Sequence, residues 1–468
     1  MSIEKSTVTI DILVNAIRIN EATGDHTIAL ARALQTIGHT VRIFAGTVGA
    51  LPPDIRSITK ATDATSYPAN ADLVIVQYGV WHPLAEQLRT CNAPSIFYYH
   101  GVTPPEHFSD SVSQASQQNS RQRADLVNQA SVAVCTSPYT AHELSALTAY
   151  PNEQIKIVPL PIDVAAFAAP VESGSLSALR KQLKLEGKRV LLYVGRIAEH
   201  KRIDLLIDAL AKLKPTIPNL HLLIVGNISA STTTRLFHES LQKQASQLNV
   251  SNELTFCGAV ESTIPYYQLA ELYLQASQHE GFCAPLVEAM AAGVPIVASD
   301  AGAMPWTLNA QNNDAMAAGL LFHAGDVESL VAQAGKVLSD EKLHMQLVQR
   351  GKDRALAFTR ASFVENVRQI LEEVRIRYSQ PKSIQNVPSS ELHKFADVAL
   401  RNYKVRSNLP GIGRLIAWVR RNATAHLKEA YLDIIIEQQV NYNRQLATEV
   451  DRLQRQVEEL QQEIIKIK

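Results

Sequence analysis

Short apolar runs alternate with amphipathic segments along the first 375 residues, and this alternation restricts the possible folds more than any other feature. The apolar runs are β-rich and nearly continuous in hydrophobicity, which is typical of parallel strands covered on both faces. The segments between them repeat apolar residues every three or four positions, as from Ile28 to Ile37, where Gly38 is predicted to end a helix. The expected strands are Thr7–Val14, Val41–Phe44, Asp72–Tyr78, Ser95–His100, Ser131–Thr136, Lys188–Gly195, Asn219–Gly226, Glu253–Gly258, Glu271–Ser277 and Pro295–Asp300.

Two successive β-α-β series predict an α/β protein with two doubly wound domains. Such domains face a cleft and bind ligands at the carboxyl ends of their strands. We expect the first domain to span residues 1–165 and the second to span residues 166–376. Residues 377–400 are polar and contain Pro and Ser, which indicates a linker to a helical tail over residues 401–468.

Composition excludes several classes of protein. The chain of 468 residues has 45 Lys and Arg and 45 Asp and Glu, so it lacks the basic surplus of a bulk nucleic-acid binder. Its four cysteines have no CxxC spacing, which argues against a disulfide framework and favours a reducing, cytoplasmic environment. We expect no signal peptide and no membrane span, because no apolar stretch has the required length or flanks.

The tail carries two patterns. Residues 401–428 contain seven basic and no acidic residues beside an apolar stripe. This segment could lie on an anionic membrane surface or pack against its own enzyme. Residues 443–467 form a heptad repeat, which predicts a parallel coiled-coil homodimer, with a solvated or intramolecular helix as the alternative. The core positions are Asn443, Leu446, Val450, Leu453, Val457, Leu460, Ile464 and Ile467.

The stretch from His279 to Asp300 is the most informative part of the chain. A buried strand is predicted to end just before Glu280, and Pro285 stands where a helix should begin. The N–H groups of residues 282–286 would then form a phosphate cradle at a helix N-terminus. Glu280 and Glu288 can both face the crevice there, and ionised carboxylates accept hydrogen bonds from sugar hydroxyls.

A second group of charges follows the strand that ends at Gly195. Arg196 and Lys201 lie in the strand-to-helix loop, where two cations can neutralise a diphosphate, above all when it leaves. Each charge also has an ordinary explanation: Glu288 as a partner of the helix dipole, and the two cations as a solvated surface. Their joint occurrence at strand ends of one domain favours a ligand site.

These residues resemble a known family. Glu280 and Glu288 form an E-x7-E motif inside a block similar to the HEGFG-P-EAMA-G-PVVAS block of the retaining family-4 glycosyltransferases. The run Gly195–Asp204 looks like the family's G-R-x4-K-G-x-D element. The resemblance spans about residues 5–376 and implies the GT-B fold, with two Rossmann-like domains and the donor nucleotide-sugar on the second.

The resemblance also implies roles for the residues. Arg196 and Lys201 would bind the donor diphosphate. Glu288 would hold the nucleotide ribose and Glu280 the transferred sugar, while the backbone around Gly281 and Phe282 would help to seat sugar and phosphate. The family needs no metal and no cofactor, and its acceptors are carbohydrates or lipid-linked molecules.

On the first domain, the resemblance singles out two positions. Gly24 opens the first predicted helix and resembles a glycine loop that lets phosphate or acceptor approach, while Asp25 is a candidate N-cap or functional residue. His100 stands at a strand end, where related enzymes place a histidine near the reacting sugar. We expect His100 to orient a sugar hydroxyl, with a purely structural role as the alternative.

The sequence departs from the family pattern without losing a charged position. Cys283 replaces the last glycine of HEGFG, and Arg202 replaces the glycine after Lys201. A sugar-nucleotide 2-epimerase and a sugar-nucleotide-binding scaffold without activity remain alternatives. A glycoside hydrolase fits less well, because its two carboxylates come from separate elements that flank the scissile bond. The sequence does not identify the sugar, the base or the acceptor.

Overall fold

The computed structural model describes residues 7–19, 21–227, 232–311 and 314–379. Within these residues the chain forms two parallel sheets with helices between most successive strands, so the predicted doubly wound α/β architecture is confirmed. The predicted basic segment 401–428 and coiled coil 443–467 lie outside the described residues. No helix of the described part is long and apolar enough to cross a membrane.

The first sheet has seven parallel strands in the order β3-β2-β1-β4-β5-β6-β7. Its central strands β4, β5 and β6 are buried along their whole length, as their continuous apolar sequences predicted. The strands are β1 Thr9–Ile17, β2 Thr40–Val48, β3 Thr59–Ala61, β4 Leu73–Tyr78, β5 Ser95–Tyr99, β6 Val132–Cys135 and β7 Lys156–Ile157.

The second sheet has six strands in the order β10-β9-β8-β11-β12-β13. These are β8 Arg189–Val194, β9 Leu220–Val225, β10 Leu254–Gly258, β11 Leu272–Gln275, β12 Ile296–Ser299 and β13 Leu320–Phe322. All the predicted strands are present in the two sheets. Strands β3, β7 and β13, which have three, two and three residues, are not predicted from the sequence. Runs this short carry no readable periodicity.

Helices cover both faces of the sheets. The first, α1, begins at Ala22 and ends at Gly38, whose left-handed conformation (φ 106°) confirms the predicted stop. The helices are α1 Ala22–Ile37, α2 Pro53–Ser57, α3 Ser111–Gln122, α4 Pro138–Thr148, α5 Val164–Ala168, α6 Ser173–Gln182, α7 Ile203–Leu213, α8 Thr232–Gln247, α9 Ile264–Leu269, α10 Ala284–Ala292, α11 Met304–Thr307, α12 Val327–Ser339, α13 Glu341–Ala355 and α14 Arg360–Ser379.

The last described helix returns to the first domain. Phe363, Val367 and Ile370 of α14 are buried in the same core as Ile28 and Leu34 of α1. We placed residues up to 376 in the second domain because chain order cannot show which sheet a terminal helix covers. The helix also continues to Ser379, so the linker predicted from residue 377 begins with helical residues.

The chain crosses between the domains at two adjacent places. The backbone N–H of Ile162 donates to the carbonyl of Phe358 at 2.8 Å, and Ile162 forms an isolated parallel bridge with Thr359. Arg360 pairs with Asp163 at 3.2 Å beside this bridge. The outgoing and returning segments therefore run side by side between the two sheets.

Candidate functional site

The strand order reverses beside β1 in the first sheet and beside β8 in the second. In open α/β sheets, ligands bind in the crevice outside the carboxyl ends of the strands at such a reversal. Arg196 and Lys201 follow β8, and Glu280 follows its neighbour β11. Gly24 follows β1, and His100 follows β5. The topology therefore places the predicted residues at strand ends on or next to the two reversal points.

Lys201 and Glu280 are brought into direct contact. Lys201 Nζ donates to Glu280 Oε1 at 2.6 Å, although the two residues are 79 positions apart. The same oxygen accepts hydrogen bonds from Ser277 Oγ at 2.8 Å and Gln275 Nε2 at 3.2 Å. Burial alone would raise the pKa of Glu280, but the charge and hydrogen bond of Lys201, with that of Ser277, hold the pKa below its usual value. Glu280 is therefore a carboxylate at neutral pH.

Arg196 lies in the same loop with an exposed side chain. Its carbonyl accepts a hydrogen bond from the hydroxyl of buried Tyr193 at 3.0 Å, which fixes the backbone directly after β8. Beside this loop, a Cβ atom at Gly226 would come within 1.8 Å of the Gly195 carbonyl oxygen, so only glycine fits there. The loop that carries the two cations is held by backbone packing, which leaves the Arg196 guanidinium at the surface.

Glu288 differs from Glu280 in its protonation. It lies on α10, where Tyr267 donates a hydrogen bond to Glu288 Oε2 at 2.8 Å. Burial, together with the negative charge of Asp25 on α1, raises the pKa of Glu288 to about 7 despite the Tyr267 hydrogen bond. The environments of the two carboxyl groups thus separate their pKa values, a pattern common in active sites. Near neutral pH, Glu288 can therefore both accept and donate hydrogen bonds.

The loop after Glu280 is packed tightly against the first domain. A Cβ atom at Gly281 would come within 2.0 Å of the His100 carbonyl oxygen, so this position requires glycine. Phe282 is buried, and its ring lies edge to face on Phe358 at 5.2 Å between centroids. The Phe282 ring is thus part of the core, which leaves only its backbone for the ligand contact that we predicted.

The predicted phosphate cradle is smaller than expected. Helix α10 begins at Ala284 with Pro285 in its first turn, as predicted. Pro285 has no N–H group, however, and the Leu286 N–H donates to the Cys283 carbonyl at 3.1 Å. Of the five predicted N–H groups, only those of residues 282–284 could therefore contact a phosphate. Residue 285 has none, and that of residue 286 is bonded to the N-cap residue of the helix.

The two departures from the family's glycines occupy left-handed backbone. Cys283 has φ 70° and Arg202 has φ 51°. Glycine adopts this region without steric cost, whereas other residues are strained there by about 1 kcal/mol or more. The Arg202 guanidinium makes three hydrogen bonds to the Asp204 carboxylate, and Cys283 is buried. Both positions thus keep the left-handed backbone conformation that glycine favours, although neither residue is glycine.

His100 belongs to a buried polar group in the first domain. Its Nε2 lies 2.6 Å from Gln77 Oε1, and the same oxygen lies 2.9 Å from His26 Nδ1. Burial, together with the proximity of His26, lowers the pKa of His100 well below its usual value, so its ring is neutral. With Gln77 Oε1 as the shared acceptor, both rings donate to it, and Nδ1 of His100 keeps its lone pair. A neutral ring with a free lone pair can orient a hydroxyl.

Gly24 lies in the first turn of α1 rather than at its start, because the helix begins at Ala22 with Glu21 as N-cap. Asp25 is therefore an acidic residue of the first turn and not the N-cap that we considered. A Cβ atom at Gly24 would lie 2.1 Å from the Arg18 carbonyl oxygen. The loop after β1 passes so close to the helix that residue 24 must be glycine.

Several buried polar residues beside this site were not predicted from the sequence. Gln77 is a polar residue within an apolar strand, which was an available signal. Glu143 and His279 contact each other across the domains with Nε2 and Oε1 3.1 Å apart, and no local pattern indicated that pair. Among the described residues, no group of three or more His, Cys, Asp or Glu could hold a metal ion.

Two family models match parts of this chain. The family model described as Glycosyl transferases group 1 matches residues 177–354, which contain Arg196, Lys201, Glu280 and Glu288. The model described as Glycosyltransferase Family 4 matches residues 50–166 of the first domain. Together the two models cover the parts of both sheets from which most of the site is built.

Curated relatives are similar over part of their length. A D-inositol 3-phosphate glycosyltransferase of Jonesia denitrificans is 26% identical over 54% of this chain and 59% of its own length. A lipopolysaccharide 1,2-N-acetylglucosaminetransferase of Salmonella typhimurium is 32% identical over 42% of this chain and 50% of its own length. The chain thus spans between half and three fifths of the length of these two relatives.

Solved structures share the fold. Anabaena HepE in complex with UDP and glucose superposes with a TM-score of 0.65 at 18% identity, over 78% of this chain and 99% of that one. Sucrose-phosphate synthase of Thermosynechococcus elongatus gives a TM-score of 0.63 at 20% identity, over 79% of this chain and 99% of that one. At these identities the likeness shows the two-domain architecture.

Proposed function

Because the chain belongs to the group 1 glycosyltransferases of the GT-B fold, we propose that it is a retaining, metal-independent hexosyltransferase. It would move a sugar from a nucleotide-diphosphate donor to a hydroxyl acceptor in glycan, polysaccharide or glycolipid synthesis. The observation that carries this proposal is the contact between Lys201 and Glu280 at the reversal point of the second sheet. A cation for the diphosphate and a carboxylate for the sugar are adjacent there, beside exposed Arg196.

The proposed reaction needs few groups from the protein. The bond between the sugar's anomeric carbon and the diphosphate oxygen breaks as the acceptor oxygen attacks from the same face. The acceptor proton passes to the departing phosphate oxygen. Arg196 and Lys201 stabilise the negative charge that grows on the diphosphate, which is where preorganised cations lower a barrier most. Lys201 would then share its charge between Glu280 and the phosphate.

The two carboxyl groups have different tasks in this proposal. Glu280 is an ionised acceptor, so it holds hydroxyls of the transferred sugar. Glu288 has a pKa of about 7 and can exchange hydrogen bonds in both directions with the ribose hydroxyls. His100 is neutral and would orient a sugar hydroxyl from the first domain.

The donor can be sought directly. We would test UDP and UDP-glucose first, because the structurally similar HepE binds them. In a thermal-shift series of nucleoside diphosphates, a ligand at 100 times its dissociation constant should add about 2.7 kcal/mol to the folded state. We expect a shift that is selective for one base and equal with and without EDTA. Loss of the shift in EDTA would contradict metal independence. In a separate product analysis, release of an epimerised sugar-nucleotide would favour the epimerase.

The tail is proposed to act in location and assembly, on its sequence patterns alone. Residues 401–428 would contact an anionic membrane that presents lipid-linked acceptors, and residues 443–467 would form the homodimer. We expect the full chain to pellet with vesicles containing anionic lipid and a variant ending at residue 379 to remain in solution. Equal pelleting of both forms would contradict the membrane contact.

A further inference from the structure

Glu143 is a buried carboxylate in α4 that the proposed reaction does not use. It accepts four hydrogen bonds. Three come from its own domain and one comes from the second domain. The donors are Tyr99 Oη at 2.7 Å, Arg121 Nη1 at 2.9 Å, His279 Nε2 at 3.1 Å and the Val102 N–H at 3.3 Å.

The four donors explain why a charge is tolerated there. Burial alone would raise the pKa of Glu143, but the hydrogen bond and charge of His279, with the hydrogen bonds of Tyr99 and Arg121, keep the pKa below its usual value. An ionised carboxylate out of water is costly unless it is fully paired. His279 is itself only 4% exposed, with Tyr139 edge to face on its ring. The contact between the domains thus completes the pairing of a buried charge.

A second set of hydrogen bonds lies two residues further along the same loop. The Gly281 carbonyl accepts from Ser137 Oγ at 2.7 Å and from Thr136 Oγ1 at 3.1 Å. Ser137 is also the N-cap of α4, where its hydroxyl accepts from the Thr140 N–H at 3.2 Å. One hydroxyl can accept and donate at once, so both bonds are compatible.

Glu280 lies between two interdomain contacts, which we call the anchors: the contact of His279 with Glu143, and the hydrogen bonds of Thr136 and Ser137 to the Gly281 carbonyl. Its carboxylate is held within the second domain by Lys201 and Ser277, but the residues before and after it are held by the first domain. We propose that Glu143, Thr136 and Ser137 are positioning residues that set Glu280 against the first domain, so that this loop reaches its working geometry only when the two domains are closed. This inference rests on the proposed role of Glu280 at the transferred sugar.

The anchors should affect the geometry of the closed domains more than the affinity for the nucleotide. Arg196, Lys201 and Glu288 all belong to the second domain, so nucleotide can bind there without the anchors. Chemistry needs the sugar and the acceptor in one fixed geometry, and a misplacement of about 1 Å can cost about 100-fold in rate. Loss of an anchor should therefore lower turnover while leaving the affinity for UDP nearly unchanged.

The test compares Glu143→Gln with Glu153→Gln, an exposed glutamate of the same domain. For Glu143→Gln we expect kcat with UDP-glucose to fall at least tenfold and the Kd of UDP to stay within threefold. Hydrogen exchange of residues 276–284 should become faster, with strands β4 and β8 unaffected. Glu153→Gln should match the wild type throughout. Unchanged kcat, or exchange that rises equally in all strands, would overturn the inference.

The second anchor gives an independent test. Ser137→Ala removes the hydroxyl, whereas Ser137→Thr keeps it, so Thr should restore both turnover and slow exchange of residues 276–284. Equal behaviour of the two variants would contradict a positioning role. Exchange is measured without ligand, so it reports on the anchors even if UDP-glucose is not the donor. Suppose that the wild type binds no nucleoside diphosphate, but that residues 276–284 exchange slowly in the wild type and faster in the variants. This result would count against the proposed function and not against the anchors.

Discussion

Replacing Glu288 with glutamine should stabilise the folded chain most at alkaline pH and leave its stability nearly unchanged only below about pH 4.5. Folding raises the pKa of Glu288 from its ordinary value of 4.5 to about 7, because the carboxyl group is buried and faces the charge of Asp25. The folded state therefore holds the proton more tightly than the unfolded state does. Stability must then fall as the pH rises from about 4.5 to about 7.

The size of this effect follows from the shift. Each pKa unit corresponds to 1.36 kcal/mol, so a rise from 4.5 to about 7 amounts to about 3 kcal/mol of lost stability above neutral pH. Glu288 retains partial contact with solvent, which weakens the penalty, and we expect about 2–3 kcal/mol. Glutamine imitates the protonated carboxyl group and can still accept the Tyr267 hydrogen bond. The variant should therefore avoid this loss.

Scanning calorimetry at pH 5.5 and pH 8.5 would measure the difference. A stability change of 1 kcal/mol shifts the Tm of a domain of 150–250 residues by about 2–4 °C. We therefore expect Glu288→Gln to raise the Tm by roughly 5–10 °C at pH 8.5 and by roughly 2–5 °C at pH 5.5, where only about one of the 2.5 pKa units has been lost. A Tm difference that is the same at both pH values would refute the reasoning.

Glu280→Gln is the matched control, because the pKa of Glu280 is lowered on folding. The stability that its ionised form contributes is present above the unfolded pKa and is lost only as the pH falls through the folded pKa. The substitution should therefore cost the same Tm at pH 5.5 and at pH 8.5. A gain in stability for this control at pH 8.5 would mean that the two carboxyl groups have been assigned the wrong environments.

Three further outcomes are expected. The double variant Arg196→Ala/Lys201→Ala should lower kcat for UDP-glucose by at least 100-fold, because the departing diphosphate loses both cations. Near wild-type kinetics would contradict the assignment of these two residues to the diphosphate. Gly281→Ala should abolish turnover, since its Cβ would lie 2.0 Å from a carbonyl oxygen of the first domain. Gly174→Ala should be silent in the same assay, because its Cβ would meet only the Glu172 side chain, at an ordinary contact distance of 3.9 Å. If the tail forms the dimer, a variant ending at residue 379 should have the light-scattering mass of a monomer while the full chain has that of a dimer; an unchanged oligomeric state would contradict the coiled coil.

The sequence determined the local elements. Strand periodicity, the glycine that ends α1 and the proline in the first turn of α10 depend on backbone chemistry within a few residues, so they could be predicted without the fold. The E-x7-E spacing likewise placed Glu280 in a loop and Glu288 on the following helix. Both positions hold in the structure.

Only the tertiary structure decided which of these groups meet and in which protonation state. Lys201 and Glu280 are 79 residues apart, and Glu143 and His279 are 136 residues apart. Nothing in the local sequence distinguishes the lowered pKa of Glu280 from the raised pKa of Glu288, because burial and neighbouring charges come from distant segments. The return of α14 to the first sheet is of the same kind. The sequence of α14 gives its apolar periodicity, but the apolar face of the first sheet, which the helix covers, decides where it packs.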